Sequence, residues 1–312
     1  MILNMNRQLG FNFTVQFALG IAILTMISGC GKKSDVETEM SQQVGDLMAS
    51  VDESGGKSSG QISRNEVNSA ERMFARLDKK VAPLVSYSRD GLELLIPSAN
   101  AVSCFFAPGF GSCDTNTITR NFNGCTIGAA VLTGSVLLTW GGGASNCQIT
   151  ADNQTITRDP NFSISGRFGG SLVVSKSGTI GQRLTRSAAN VFQFTNDGIR
   201  RAVSFDGTTL HDYTTTTTGP LAVTGLFRNG RTISSSGGSA VRVTNNLNNV
   251  YCDFVPTAVT YSNSCNCAVS GAWGATCSDG KNASIELSGC GSGTFTMDGE
   301  SSSVTFDRCY GS

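Results

Sequence analysis

The side chains that most often perform catalysis are sparse in this sequence and poorly placed for it. The only histidine is His211, and Asp212 beside it would point to the opposite face of a strand, so a Ser-His-Asp triad is not indicated. From residue 104 onward there are two glutamates, Glu286 and Glu300, each beside a predicted turn. Glycoside hydrolysis needs two carboxyl groups facing one bond. We therefore predict a protein that is not an enzyme, with a carboxylate-dependent glycan hydrolase as the alternative.

Cysteine is the residue type with the clearest chemistry in this chain. Of the 11 cysteines, all but Cys30 follow residue 103, and their even number predicts disulfides in an exported protein. These candidates are Cys104, Cys113, Cys125, Cys147, Cys252, Cys265, Cys267, Cys277, Cys290 and Cys309. Local spacing suggests links of Cys104 with Cys113, Cys125 with Cys147, and Cys290 with either Cys267 or Cys309. The sequence alone does not decide the pairing.

The C-terminal cysteines are a weak candidate for a metal site. Cys265 and Cys267 would lie on the same side of a strand and should have different partners. Together with Cys277 and Cys290 they lack the paired C-x₂-C spacing that is typical of zinc ligands. We predict no metal and no cofactor.

The remaining cysteine, Cys30, ends an apolar segment at the N-terminus. Residues 1–8 contain one basic residue and no acidic one, residues 17–27 are almost wholly apolar, and Ser28 and Gly29 lead into the cysteine. This order is typical of a secretory signal peptide. The apolar run is too short to cross roughly 30 Å of hydrocarbon.

The four residues Ile27-Ser28-Gly29-Cys30 closely resemble the lipobox of bacterial lipoproteins. The resemblance implies removal of residues 1–29, with acyl chains on both the sulfur and the new amino group of Cys30. Two or more buried chains give stable membrane binding where one does not. Gly31 after the cysteine implies transport to the outer membrane. We therefore expect a protein attached to the outer membrane by lipid, on its periplasmic or cell-surface side.

Residues 30–103 differ from the rest of the chain and form the predicted tether. They contain no cysteine beyond Cys30 and hold many of the charged residues. Apolar residues recur at helical spacing over residues 40–51 and again over residues 67–81, and Pro83 follows the second run. We expect one or two short helices between the lipid and the main domain.

Residues 104–312 are predicted to form an all-β domain. The segment is rich in Thr, Ser and Gly, and its apolar residues alternate with polar ones in short runs. Six dipeptides suit two-residue hairpin turns: Asn123-Gly124, Asp197-Gly198, Asp206-Gly207, Asn229-Gly230, Asp279-Gly280 and Asp298-Gly299. We predict an antiparallel meander, cross-linked by disulfides, that forms a sandwich or barrel-like sheet.

Charge and side-chain type restrict the partners of this domain. The full chain has 23 basic and 23 acidic residues, and loss of the signal peptide removes only Arg7 from that balance, which argues against nucleic acid as a partner. The arginines at 183, 186, 200 and 201 suit bidentate capture of an acidic ligand. The favoured interpretation is structural, with their aliphatic stems covering exposed strand faces. Thr214–Thr218 is interpreted as a solvated edge strand rather than a flat binding face. We predict binding of an envelope protein or glycan, or a structural role in the envelope.

Overall fold

The structure is a computed structural model that describes residues 113–122, 124–127, 130–166, 169–225, 231–262, 268–290 and 292–305. These residues lie within one compact unit and form a 17-stranded sheet. No helix among them is long and apolar enough to cross a membrane. The predicted signal peptide, lipobox and tether lie outside the described residues.

Every strand of the sheet pairs antiparallel with its neighbours, which confirms the predicted all-β meander. The strands are β1 (Thr117–Asn121), β2 (Cys125–Ile127), β3 (Ala130–Gly141), β4 (Thr155–Ser165), β5 (Gly170–Lys176), β6 (Gln182–Ala188), β7 (Val191–Asn196), β8 (Ile199–Phe205), β9 (Thr208–Thr217), β10 (Leu221–Thr224), β11 (Thr232–Ser234), β12 (Val241–Asn245), β13 (Tyr251–Tyr261), β14 (Ala268–Cys277), β15 (Asn282–Gly289), β16 (Ser292–Met297) and β17 (Glu300–Thr305).

Many of the short strands are halves of longer ones. Strands β1 and β2 lie end to end along β3, and β5 and β6 lie end to end along β4. The same division continues in β7 with β8, β9 with β10, and β11 with β12. From β13 onward the strands are unbroken and follow one another as hairpins. The chain therefore winds as a meander whose early long strands are interrupted near their middle.

The sheet has one buried face, here called the inner face, and one exposed face, the outer face. In β4 the side chains alternate strictly between the two, as expected for a strand with one face buried. Phe162 and Ile164 are 5% and 1% exposed, whereas Asn161 and Ser163 between and beside them face outward. The apolar half of the alternation thus forms the core.

Three of the six predicted hairpin dipeptides occupy hairpin turns. Asp206-Gly207 joins β8 to β9, and Asp298-Gly299 joins β16 to β17, with positive φ at all four residues. Asp279-Gly280 joins β14 to β15 in a three-residue turn in which Gly280 has a φ of 86°. These dipeptides were correctly predicted to join adjacent antiparallel strands.

The other three dipeptides are not hairpin turns where the structure describes them, and the rest of their residues lie outside the described part of the chain. Asp197-Gly198 separates β7 from β8, which do not pair with each other but continue one long strand. The Asp197 carboxylate accepts hydrogen bonds from the backbone N–H groups of Thr179 and Ile180. It therefore stabilises the break between β5 and β6 rather than a hairpin. Gly124 likewise lies between β1 and β2, both of which pair with β3. Asn123 and the Asn229-Gly230 pair are outside the described residues.

Two glycines inside strands take backbone conformations that other residues avoid. Gly134 in β3 has a φ of 93°, and Gly271 in β14 has a φ of 97°. A Cβ on Gly271 would lie 2.4 Å from the carbonyl oxygen of Ala258, where β13 bulges. Trp273, two residues later, is fully buried. Gly271 thus lies at an irregular point of the β13–β14 pairing, beside an aromatic side chain that packs into the core.

The structure pairs the cysteines differently from the local-spacing suggestions. Cys113 bonds to Cys147 and Cys252 bonds to Cys277, so the suggested links of Cys104 with Cys113 and Cys125 with Cys147 are wrong. Strand pairing accounts for both bonds: Cys113 precedes β1 and Cys147 follows β3, its antiparallel neighbour, while Cys252 is directly opposite Cys277 in β13 and β14. Cys125 and Cys290 are also disulfide-bonded. Cys104, Cys265, Cys267 and Cys309 lie outside the described residues, as do the suggested links of Cys290 to Cys267 or Cys309.

A short row of polar side chains crosses the mostly apolar inner face at the level of the strand breaks. Arg158, Gln182, Asn196 and Thr215 are each at least nine-tenths buried, on β4, β6, β7 and β9. Arg158 donates to Gln182 at 3.3 Å and Asn196 donates to Thr215 at 2.9 Å. The row links strands that are separated in sequence, and nothing in the alternating pattern predicts it.

Candidate functional site

The two glutamates that could serve a hydrolase do not face each other. Glu286 lies in the middle of β15 on the outer face, not beside a turn as predicted, and is in line with Thr294 and Ser303 on the next two strands. Glu300 begins β17, three residues before Ser303, so alternation directs it to the opposite side of the sheet. These two carboxylates cannot flank one glycosidic bond.

The side chains of His211 and Asp212 also point in different directions from β9. His211 is in β9 opposite Val203 and is partly buried rather than fully exposed. Asp212 is 8% exposed and faces outward toward Arg200 on β8. The predicted separation of these two side chains to opposite faces of the strand agrees with this arrangement.

The first cluster of the outer face is built around Asp212. Arg200 donates from Nε and Nη2 to the two carboxylate oxygens, at 2.9 and 2.5 Å, and Asn246 donates from Nδ2 to Oδ1 at 2.7 Å. The hydrogen bond from Arg200 holds the pKa of Asp212 below its usual value, although burial acts in the opposite direction. Asp212 is thus kept ionised and the Arg200 guanidinium is held in one orientation.

The second cluster has the same design two strands away. Arg242 on β12 donates from Nε and Nη2 to Asp253 on β13, each at 2.8 Å. The guanidinium carbon also lies 4.0 Å from the centre of the Tyr251 ring, which adds a cation–π contact. The hydrogen bond to Asp253 raises the pKa of Arg242 above its usual value. The planar Arg242 guanidinium is therefore fixed on one edge by the Asp253 carboxylate and on one face by the Tyr251 ring.

Strand β9 runs between these two clusters and is not an edge strand, contrary to the prediction. It pairs with β8 on one side and with β12 on the other. Thr214 is opposite Arg200, and Thr216 is opposite Arg242. Thr215 between them is fully buried in the inner face. The threonine run is therefore divided between core and surface, and its outward hydroxyls lie between two arginine–aspartate pairs.

Polar side chains extend from this centre in two rows across neighbouring strands. The first row, in register from β1 to β13, consists of Asn121, Ser135, Asn161, Ser175, Arg200, Thr214, Thr244 and Tyr251. The second row consists of Thr216, Arg242, Asp253, Thr276 and Asn282, from β9 to β15. None of these residues is buried. Adjacent members of a row lie about 4.8 Å apart in a sheet, so each row is a closely spaced series of groups that donate or accept hydrogen bonds.

Apolar groups on the described surface are scattered. The large hydrophobic residues that are exposed, between 36% and 54%, are Val131, Leu137, Val173, Val191, Leu247 and Val255. Val131 and Leu137 lie six residues apart on β3, and the other four lie on separate strands or loops. Among the described residues, no group of three His, Cys, Asp or Glu side chains is close enough to hold a metal ion.

The four arginines that the sequence offered as candidates for binding an acidic ligand do not form one site. Arg183 and Arg186 are on β6, which does not pair with β8. Arg200 and Arg201 are neighbours on β8 but face opposite ways, since Arg201 is 6% exposed on the inner face. The carboxylate that Arg200 holds belongs to its own chain. Asn246, Asp253 and Tyr251 were missed, because only strand pairing brings them to the site.

Comparison with protein-family models, curated proteins and solved structures gives no match. The functional argument therefore depends on the geometry of the outer face.

Proposed function

We propose that the β domain is a non-catalytic module that binds a glycan on the outer face of its sheet. The observation that carries the proposal is the first row of polar side chains, which stay in register across neighbouring strands from Asn121 to Tyr251. Every hydroxyl of a sugar both donates and accepts hydrogen bonds. A regularly spaced row of side chains, most of which can also both donate and accept, matches such a ligand along its length.

A protein partner fits this face less well. Protein interfaces depend on a few buried aromatic or aliphatic anchors set in an apolar centre. The described outer face offers single valines and leucines rather than a connected apolar patch. Its one aromatic residue in the first row, Tyr251, is already covered by Arg242.

The carboxylates of this face favour binding over hydrolysis. A glycosidase needs one carboxyl group whose pKa is raised, so that it can donate a proton. The pKa of Asp212 is instead lowered by the hydrogen bond from Arg200. Asp253 is held by Arg242. These aspartates therefore act as fixed acceptors.

We place this module on the outer membrane through lipid on Cys30, following the lipobox resemblance. The lipid is the membrane partner, and residues 30–103 separate it from the β domain. Fractionation of cells that carry Cys30→Ala tests this part of the proposal, because the variant should remain as uncleaved precursor or become soluble. Membrane-bound Cys30→Ala protein of normal mature mass would contradict it.

The binding proposal is tested with the full mature protein in detergent. Affinity electrophoresis through gels containing single soluble polysaccharides should show retardation by at least one of them. A gel without polysaccharide is the control for mobility. Unchanged mobility in every gel, together with capture of one envelope protein from cross-linked cells, would replace the glycan by a protein partner.

A further inference from the structure

The two arginine–aspartate pairs have an exposed edge that the fold itself does not use. Arg200 and Arg242 each engage their aspartate through Nε and Nη2. Among the described residues, Nη1 of either arginine makes no further hydrogen bond. The arginine side chains are 51% and 38% exposed. Each guanidinium therefore presents fixed N–H donors to solvent beside a carboxylate, whose side chain is 29% exposed at Asp253 and 9% exposed at Asp212.

The charge of each pair restricts what can bind there. A guanidinium in bidentate contact with a carboxylate forms a pair without net charge, so a second carboxylate at its free edge meets no net positive charge to offset the cost of its own desolvation. A pair of neighbouring hydroxyls carries no charge to be desolvated, and it can accept from Nη1 while donating to the aspartate. An uncharged polyol therefore fits these positions better than an anion.

Relative position gives the size of the ligand. Strands β8 and β12 are both neighbours of β9. On β9, Thr214 is opposite Arg200, and Thr216, two residues later, is opposite Arg242. Ladder spacing then separates the two arginine Cα atoms by about 12 Å. That distance exceeds one sugar ring, so both pairs can be engaged only by an oligosaccharide crossing β9 over Thr214 and Thr216.

We propose that Arg200 with Asp212 and Arg242 with Asp253 form two binding positions for vicinal hydroxyls of an uncharged polysaccharide. This inference rests on the proposed glycan-binding function and adds the ligand class and the residues that select it. Asn246 and Tyr251 are positioning residues, since they hold the first aspartate and the second arginine.

The test compares lysine substitutions at the two arginines in the full mature protein. Arg200→Lys and Arg242→Lys keep the positive charge but lose the fork. Arg186→Lys is the matched control, because Arg186 also pairs with an aspartate, Asp152, but on β6. Affinity is measured against galactomannan and dextran as uncharged polymers, against polygalacturonate as an acidic one, and against mannose as a single sugar. Thermal melting shows that each variant is folded.

The expected result is binding of an uncharged polymer, weakened at least about tenfold by each lysine variant and unchanged by the control, with mannose bound much more weakly. Equal affinity of wild type and both lysine variants for a bound polymer would overturn this inference and leave the proposed function standing. Tighter binding of polygalacturonate would overturn the ligand class. No binding of any polymer by the wild-type protein would overturn both proposals. If either lysine variant unfolds, Thr244→Glu provides the test, because it places a bulky side chain between the pairs. This variant should weaken binding by the same factor, and unchanged binding by it would overturn the inference.

Discussion

The side-chain amide of Asn196 donates a 2.9 Å hydrogen bond to the hydroxyl of Thr215, and both residues are buried on the inner face. Asn196 also accepts the backbone N–H of Gly198 at 3.1 Å, which fixes the break between β7 and β8. One residue of a threonine run thus becomes a core hydrogen-bond partner, while Thr214 and Thr216 on either side face the proposed ligand. The two roles follow from strand alternation alone.

Replacing Thr215 by valine should destabilise the protein although the shape of the side chain is kept. The change leaves the amide of Asn196 without this acceptor in a buried position, which costs about 1–3 kcal/mol. Urea denaturation of Thr215→Val and of Thr216→Val measures the difference. Thr216 faces outward, so its variant should remain within about 0.5 kcal/mol of wild type. Equal stabilities of the two variants would contradict the buried hydrogen bond.

The hairpin turn at Gly207 provides a test of the backbone geometry. Gly207 has a φ of 77° and no atom within 4 Å of an added Cβ, so Gly207→Val should cost about 1–3 kcal/mol through backbone strain alone. Gly274 in β14 has equal space and no positive φ, so Gly274→Val should be neutral or stabilising. Chemical denaturation of both variants provides the comparison. A tolerated Gly207→Val would show that the turn does not need the left-handed conformation.

Acid should weaken the contact between Arg200 and Asp212. The pKa of Asp212 is lowered in the folded state, so its stabilising contribution is present above the unfolded value near 3.9 and is lost as the pH falls through the lower folded value. Asp212→Asn should therefore be less stable than wild type at neutral pH, and the gap should narrow below about pH 4. Urea titrations from pH 2 to 7 measure this. Arg200→Gln should flatten the acid limb similarly, and an unchanged limb in both variants would contradict the pair.

The disulfide pattern can be checked by mass spectrometry of non-reduced proteolytic peptides. Linked peptides should join Cys113 to Cys147 and Cys252 to Cys277. Replacing Cys252 and Cys277 together by alanine should lower the free energy of unfolding by about 3 kcal/mol, because the bond closes a loop of 25 residues. Peptides joining Cys104 to Cys113 or Cys125 to Cys147 would contradict the structure.

The sequence predicts the fold class well because alternation and turn chemistry are local signals. The hairpins at Asp206-Gly207 and Asp298-Gly299 follow directly from the positive φ that these residues tolerate. Asp197-Gly198 has the same chemistry but lies in a strand break, because the long strand continues past it and pairs with other partners. Conversely, the hairpin at Ala189-Asn190 between β6 and β7 carries no strong dipeptide signal.

The proposed site could not be predicted, because it depends on the pairing of β9 with β12 and on a register shift between β8 and β9 that the turn at Asp206-Gly207 does not reveal. Arg242 and Asp253 are 11 residues apart, and Arg200 and Asp212 are 12 apart, separations with no local pattern of their own. Only the register of β12 with β13 and of β8 with β9 brings each pair together. Non-local pairing also decided that β9 is an interior strand, which reversed the interpretation of its threonines.

The most direct test of the outer-face proposal is the affinity of the full mature protein, carrying Thr216→Glu, for whichever polysaccharide the wild type binds. The new carboxylate would lie opposite Arg242 in the register of β9 and β12 and occupy its free donors. Ser284→Glu, on the outer face of β15, is the matched control. The account predicts at least a tenfold loss, about 1.4 kcal/mol, for Thr216→Glu and no change for Ser284→Glu. Undiminished binding by Thr216→Glu, or equal loss in the two variants, would contradict a binding site centred on β9.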